Sequence, residues 1–284
     1  MSAVRTLSFN DLELPADPLF PTELPGYVPQ VDTKEITSFD PDLASPAYAI
    51  GLRRVFSEKS WTIVPGFSAV TSHEALGLTS DHQTVLVGYG KDPLVEAFWT
   101  RRKELIPKIA EQQWSLVLTC NYSMYGNHPR TEHLMSFRRN LQLAVEMRFA
   151  GVPALPNIYW YRLEDLNRYA DWAYDFEPEA IAINLQTFRT EQDWEEMALP
   201  GLHYIASQLP PATRLVVTGS SRIDRIKTLT DLFPGRLHLV SGNALMTARH
   251  GGVMTADGRD DVHALTADAF KANVEFYNSL IKTS

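Results

Sequence analysis

At 284 residues, 44% apolar and 21% charged, the chain is long enough for one large α/β domain with a substantial core, or for two small ones. Its 34 acidic against 26 basic residues leave a net charge of −8, so nucleic-acid binding would need a local basic patch, and no run of bases exceeds a few residues. The first ten residues lack the basic and apolar regions of a signal peptide, no stretch offers the ~20 apolar residues of a membrane span, and Cys120 is the single cysteine, so the expectation is a cytoplasmic protein with no membrane association and no intrachain disulfide.

Residues 11–46 carry Pro15, Pro18, Pro21, Pro25, Pro29, Pro41 and Pro46. Backbone donors are missing at short intervals, which disfavours helix. Residues 1–46 are therefore expected to form an extended proline-rich arm lying over a single domain of residues 47–284, with Phe20, Leu24, Tyr27 and Val28 available for burial.

From there the pattern becomes regular. Short apolar runs rich in Val, Ile and Leu recur at residues 61–64, 84–87, 115–118, 154–160, 180–185, 214–218 and 237–240. Helical spacing separates most of them: Leu134, Phe137, Leu141 and Val145 form one stripe, and Leu163, Leu166, Ala170, Ala173 and Phe176 form another. Thr190 with Asp193 predicts a helix start, and Pro200-Gly201 should kink or split the helix that follows. Thr266 opens a last helix with Phe270, Val274, Tyr277 and Ile281 on one face. Strands alternating with helices predict a parallel sheet, and strands apolar on consecutive residues predict burial on both faces. The fold class is α/β: a TIM-like barrel, incomplete or irregular at its first strand, with an open doubly wound sheet as the competitor.

In either architecture ligands bind at the carboxyl ends of the strands. Those ends read Gly88-Tyr-Gly-Lys-Asp92, Cys120-Asn-Tyr-Ser123, Asn157 with Tyr159 and Trp160, Asn184 with Gln186, Gly219-Ser-Ser-Arg222 and Ser241-Gly-Asn243. Amides and hydroxyls dominate. Asp92 is the one clear carboxylate, which argues against a two-carboxylate glycosidase and against a magnesium site. Asn121, Ser123, Asn157, Asn184, Ser220 and Asn243 are the candidates to orient a small polar ligand, with strand-end and helix-start capping as their alternative role. Arg138 and Arg222 are the candidates to hold an anionic group, near Arg139 and Arg249, and the Gly219-Ser-Ser turn before a helix suits an anion. Asp92 or His128 would move protons.

Other signatures fail. There is no phosphate-binding G-x-x-x-x-G-K-[ST], Gly88-Tyr-Gly90 lacks the third glycine of a dinucleotide fingerprint, and no G-x-S-x-G elbow occurs, so no cofactor is expected. His128 and His133 flank Pro129 without further ligands, so no metal is expected either. Cys120 with His128 could form a nucleophile and base, but a lone strand cysteine reads better as a small buried hydrophobe. Residues 250–259 have the glycines of a lid or of an ordinary turn-rich connection.

The stretch Asn121-Tyr-Ser-Met-Tyr125, then Pro129, then Phe137-Arg138-Arg139-Asn140, then Gly151-Val-Pro-Ala-Leu-Pro156 and Trp160, resembles the uncharacterised bacterial and phage family DUF4417. That family typically shows a D-F-S-x-Y motif, a Y-R-N-R-like helix and a G-x-x-V-I-P strand ending near Trp. The similarity runs from about Asp92 and Trp99 to Gly219. The resemblance implies that the loop after residue 120 is special, without implying an activity. Here the family's Asp is Asn121 and its Phe is Tyr122, so any acid or base role of that Asp is lost. Two readings follow: a barrel enzyme acting on a small polar, phosphorylated or nucleotide-like compound, or a non-catalytic ligand-binding or assembly protein of a phage or other mobile element.

Overall fold

The buried apolar runs pair side by side in one direction, as parallel strands buried on both faces must. The structure, a computed structural model, describes residues 7–15, 20–21, 23–31, 35–124, 126–262 and 264–281. Among them the parallel strands are β1 (Tyr27–Val31), β2 (Ala47–Gly51), β3 (Gln83–Val87), β4 (Leu116–Leu118), β5 (Ala154–Leu155), β6 (Asn157–Ile158), β7 (Ala180–Asn184), β8 (Arg214–Thr218) and β9 (Leu237–Ser241). Their order is β5-β4-β3-β2-β1-β9-β8-β7-β6.

The two ends of that order are the two halves of one strand. Only Pro156 separates β5 from β6; having no N–H, it interrupts the ladder without breaking the chain's course. Thr119 N donates to Leu155 O at 3.4 Å on one side, and Ala182 N donates to Pro156 O at 2.9 Å on the other. The sheet thus curls into an eight-stranded α/β barrel whose fifth strand is notched by proline, and the open doubly wound alternative does not apply.

Helices wrap the outside: α1 (Ser72–Leu76), α2 (Asp92–Glu111), α3 (Arg130–Phe149), α4 (Asp165–Phe176), α5 (Glu191–Asp193), α6 (Leu199–Gln208), α7 (Ile223–Leu232), α8 (Asn243–Arg249) and α9 (Thr266–Leu280). Both expected helical stripes are found in α3 and α4, although Leu163 falls before α4 and is exposed. Thr190 and Asp193 form the expected reciprocal cap. Pro200 does not split the following helix. A π-helical turn over Trp194–Ala198 precedes it and absorbs the misfit, while Gly201 lets the Trp160 indole lie against the helix.

The first strand departs from expectation. Residues 27–31, inside the presumed arm, are a barrel strand, paired with β2 on one side and β9 on the other. Residues 61–64 are not a strand but part of the long β2–β3 connection, where Ile63 makes an isolated bridge to Phe56. Leu7 to Pro15 do lie over the domain. Leu12 O accepts from Trp172 Nε1 at 2.8 Å, and the Phe9 ring packs on Tyr169 with centroids 5.5 Å apart.

Alternate residues of the strands point inward. Val28, Ala47, Ala49, Val85, Val87, Ala180, Ala182, Val216 and Val240 belong to one apolar cluster inside the barrel, closed at its amino end by Phe20 and Leu24. A second cluster joins the outward residues to the helices. This packed apolar cluster plugs the inside, and the ligand-sized space lies above it, at the carboxyl ends.

Candidate functional site

Continuing each strand's alternation by one inward position gives Gln30, Gly51, Tyr89, Asn157, Asn184, Thr218 and Gly242, where the apolar interior gives way to amides and hydroxyls. In β4 the alternation slips by one residue after Leu118, so Cys120 falls into the outer core and Asn121 enters the mouth. Gly88 permits the slip: a Cβ there would lie 2.4 Å from Leu118 O. Above this ring opens a cavity of about 1230 Å³.

The ring is internally bonded. Tyr89 Oη donates to Asn157 Oδ1 at 2.9 Å, and Asn157 Nδ2 donates to Asn121 Oδ1 at 2.9 Å. Asn184 Oδ1 accepts from Gln186 N at 2.9 Å and from Thr218 Oγ1 at 3.3 Å. Burial pushes the Tyr89 phenol well above its ordinary range, so it acts as a neutral donor. The floor of the mouth is therefore an uncharged array of donors and acceptors.

The rim is charged. Arg53, Lys59, Lys91 and Arg189 line the cavity, and Glu58 is the sole carboxylate that does so among the described residues. This cationic excess stands out on a chain of net charge −8. Lys91 and Tyr89 stand at a strand end in the sequence without a signature that singles them out, and Gln30 is concealed there because β1 does not read as a strand; the alternation Val85, Val87, Tyr89 is the signal that points inward.

The sequence-predicted residues divide into two groups. Asn121, Ser123, Asn184, Ser220 and Asn243 line the cavity, with Asn157 buried directly beneath. Ser220 is 4% exposed, and its Oγ has no hydrogen-bond partner. Asp92, His128, Arg138 and Arg222 do not line it. Asp92 accepts from Ser123 Oγ at 2.7 Å at the start of α2, which positions the loop rather than a ligand. His128 is exposed and pairs with Glu132 at 3.1 Å on the outer surface. Arg138 points away from the mouth, since α3 returns along the outside. Its two terminal nitrogens each bond Asp11 at 2.7 Å, and Ser8 O accepts a further bond. Arg222 is turned outward and held by Glu191 and Asp224. Arg249 ends α8 and Arg139 bonds Glu96, so neither reaches the cavity.

The loop after Asn121 is organised by packing. Tyr122 N donates to Asn140 Oδ1 at 3.0 Å, and the Arg139 guanidinium stacks over the Tyr122 ring at 3.9 Å while Trp99 meets that ring edge-on at 5.5 Å. The Arg139-Asn140 pair of α3 thus clamps the strand end that presents Asn121; Tyr125 lies outside the described residues. Cys120 is buried in this cluster and its thiol is pushed up to about 12, which leaves it protonated and unsuited to nucleophilic attack. Residues 252–261 form a hairpin of β10 (Gly252–Thr255) and β11 (Gly258–Asp261), tied to α9 by Asn273, whose Oδ1 accepts from Met254 N at 2.6 Å. It is an anchored connection. Among the described residues no cluster of His, Cys, Asp or Glu could hold a metal ion, and no helix is long and apolar enough to cross a membrane. No family model matches the chain, and no curated protein matches it.

Proposed function

We propose that the barrel mouth binds a small, polar, negatively charged compound, as the substrate of an α/β-barrel enzyme. One observation carries this reading: a neutral ring of Gln30, Tyr89, Asn121, Asn184 and Thr218 lies beneath a rim of four cations on an otherwise acidic protein. Neutral amides and hydroxyls recognise hydroxyl, carbonyl or ring-nitrogen groups without a charge preference, while the rim draws anions into the cleft and repels cations. Arg53, Lys59, Lys91, Arg189 and Glu58 are the charged side chains placed to meet such a ligand. Tyr89, whose one O–H is given to Asn157 Oδ1 and which burial holds neutral, does not serve as a base.

A second reading, a ligand-binding protein without catalysis, is favoured by a specific observation: neither Asp92 nor His128 reaches the cavity, and among the described residues no Asp or His lines it. One experiment separates the readings. Melting temperatures are recorded with sugar phosphates, nucleotides, polycarboxylates and neutral sugars at low and high salt, and each stabilising compound is then assayed for turnover. Anionic compounds should stabilise the protein, less so at high salt, and Lys59→Glu with Lys91→Glu should abolish the effect. Indifference to every anion, or stabilisation that survives both charge reversals, would sink the mouth as the site. Binding without turnover would select the second reading.

A further inference from the structure

The turn between β8 and α7 lines the cavity with Gly219, Ser220 and Ser221. Gly219 has φ +77°, and a Cβ there would lie 2.3 Å from Gln186 N, so bare backbone is laid against the β7–α5 loop. That course turns Ser220 inward. Its Oγ is buried against the cavity and bonds to nothing, while neighbouring Ser221 is exposed. Among the described residues neither serine donates its N–H to another group. Immediately beyond begins α7, ten residues long, with its amino-terminal dipoles facing the turn.

A buried hydroxyl without a partner weakens a fold unless something completes it. Together with two unused backbone N–H groups at a helix start, it makes a concave set of donors. The Arg222 fork, which would suit a planar carboxylate, is taken by Glu191 and Asp224. Resting on the reading that the mouth takes an anion, we propose that this turn seats a phosphoryl group, whose three terminal oxygens match Ser220 Oγ–H and the Ser220 and Ser221 N–H groups. The ligand is then a phosphate monoester, with its organic part extending across the cavity toward Asn184 and Asn121.

The test uses inorganic phosphate, ribose 5-phosphate and ribose with the full chain, followed by calorimetry and by amide shifts in two-dimensional NMR. Ser220→Ala removes only a buried hydroxyl that has no partner, so its melting temperature should equal or exceed the parent's. Ser221→Glu sets a carboxylate at the same turn from an exposed position. Both phosphate probes should bind and shift the amides of residues 220–222, with affinity falling at least about fivefold in Ser220→Ala and about tenfold in Ser221→Glu; ribose alone should not bind at this turn. If phosphate affinity is unchanged in both variants but falls in Lys59→Ala and Lys91→Ala, the anion sits at the rim, and the phosphoryl seat is wrong while the mouth reading stands. The seat is equally wrong, with the mouth reading intact, if polycarboxylates bind the mouth and neither phosphate probe does. No response of the mouth to any anion would overturn both.

Discussion

Replacing Asn157 by leucine removes the centre of the amide ring while keeping the branching of its heavy atoms. Asn157 is fully buried and makes two hydrogen bonds of 2.9 Å, accepting from Tyr89 Oη and donating to Asn121 Oδ1. Neither partner is left stranded. Asn121 is half-buried beside the cavity, where water replaces the lost donor, and Tyr89 keeps its contact with Thr218. The loss is then close to two ordinary neutral bonds, about 2 kcal/mol in all, rather than the larger penalty of an orphaned buried group. At roughly 2–4 °C per kcal/mol for a protein of this size class, the melting temperature should fall by about 4–8 °C. With Asn121 released and Tyr89 held by one contact fewer, affinity for an anionic ligand should fall about tenfold, measured by calorimetry. Tyr89→Phe deletes one of the same bonds, so the double variant should lose about 1 kcal/mol less than the sum of the single losses. An Asn157→Leu protein as stable as the parent, with unchanged affinity, or a strictly additive cycle, would refute the idea that the ring acts as a unit.

Arg138→Lys, which turns a bidentate pair into a point contact, should lower stability by about 1 kcal/mol after allowing for the solvent around Asp11, and should leave ligand affinity untouched; weakened binding at unchanged stability would return Arg138 to the site. Because Arg138 lowers the Asp11 pKa, the unfolded chain takes up the proton first, so the pair's contribution is complete above the unfolded value of about 3.9 and is lost as pH falls through the lower folded value. Asp11→Asn should accordingly flatten the acid limb of a stability profile below about pH 4. Gly219→Ala places a methyl group against Gln186 N at positive φ and should cost about 2 kcal/mol or more along with ligand binding, which thermal melts and calorimetry will show. Cys120 should resist thiol reagents in the native protein at pH 8 and react only on unfolding; rapid native labelling would contradict its burial.

How far the sequence disclosed this molecule varies along the chain. The strands from β3 onward announce themselves as apolar runs followed by helical spacing, and the rule that ligands gather after such runs located Asn121, Asn157, Asn184, Ser220 and Asn243 without coordinates. The first two strands were hidden for separate reasons. Pro29 sits within β1, where a proline reads as a break, and one of its two neighbours in the barrel, β9, is far away in sequence. β2 is made of Ala, Tyr, Ile and Gly rather than a run of Val, Ile and Leu, and is followed by a long connection whose one α-helix has five residues instead of a full crossover. The more apolar stretch at residues 61–64 resembles a strand better than β2 does. Arg138 could not be separated from ligand-binding arginines by position alone, because its carboxylate partner Asp11 lies 127 positions away; Arg222 has one partner, Glu191, 31 positions away and another, Asp224, close by in sequence, where a neighbouring acid is no sign of pairing.

The seam between β1 and β9 ties the two ends of the chain together: Tyr27 Oη donates to Ser241 O across 214 positions at 2.9 Å. During synthesis at about 5–20 residues per second, β1 and β2 leave the ribosome roughly 10–40 s before β9 arrives to cover them. Through that interval the nascent protein presents unpaired strand edges on both sides of the missing staves, the kind of surface on which other chains add. Ribosome-bound chains stopped before residue 237 should therefore be protease-sensitive and bound by chaperones, and chains long enough for β9 and α9 to emerge should become resistant together, in a single late step. A stalled chain that is already resistant without β9 would show that the barrel holds without its last strand.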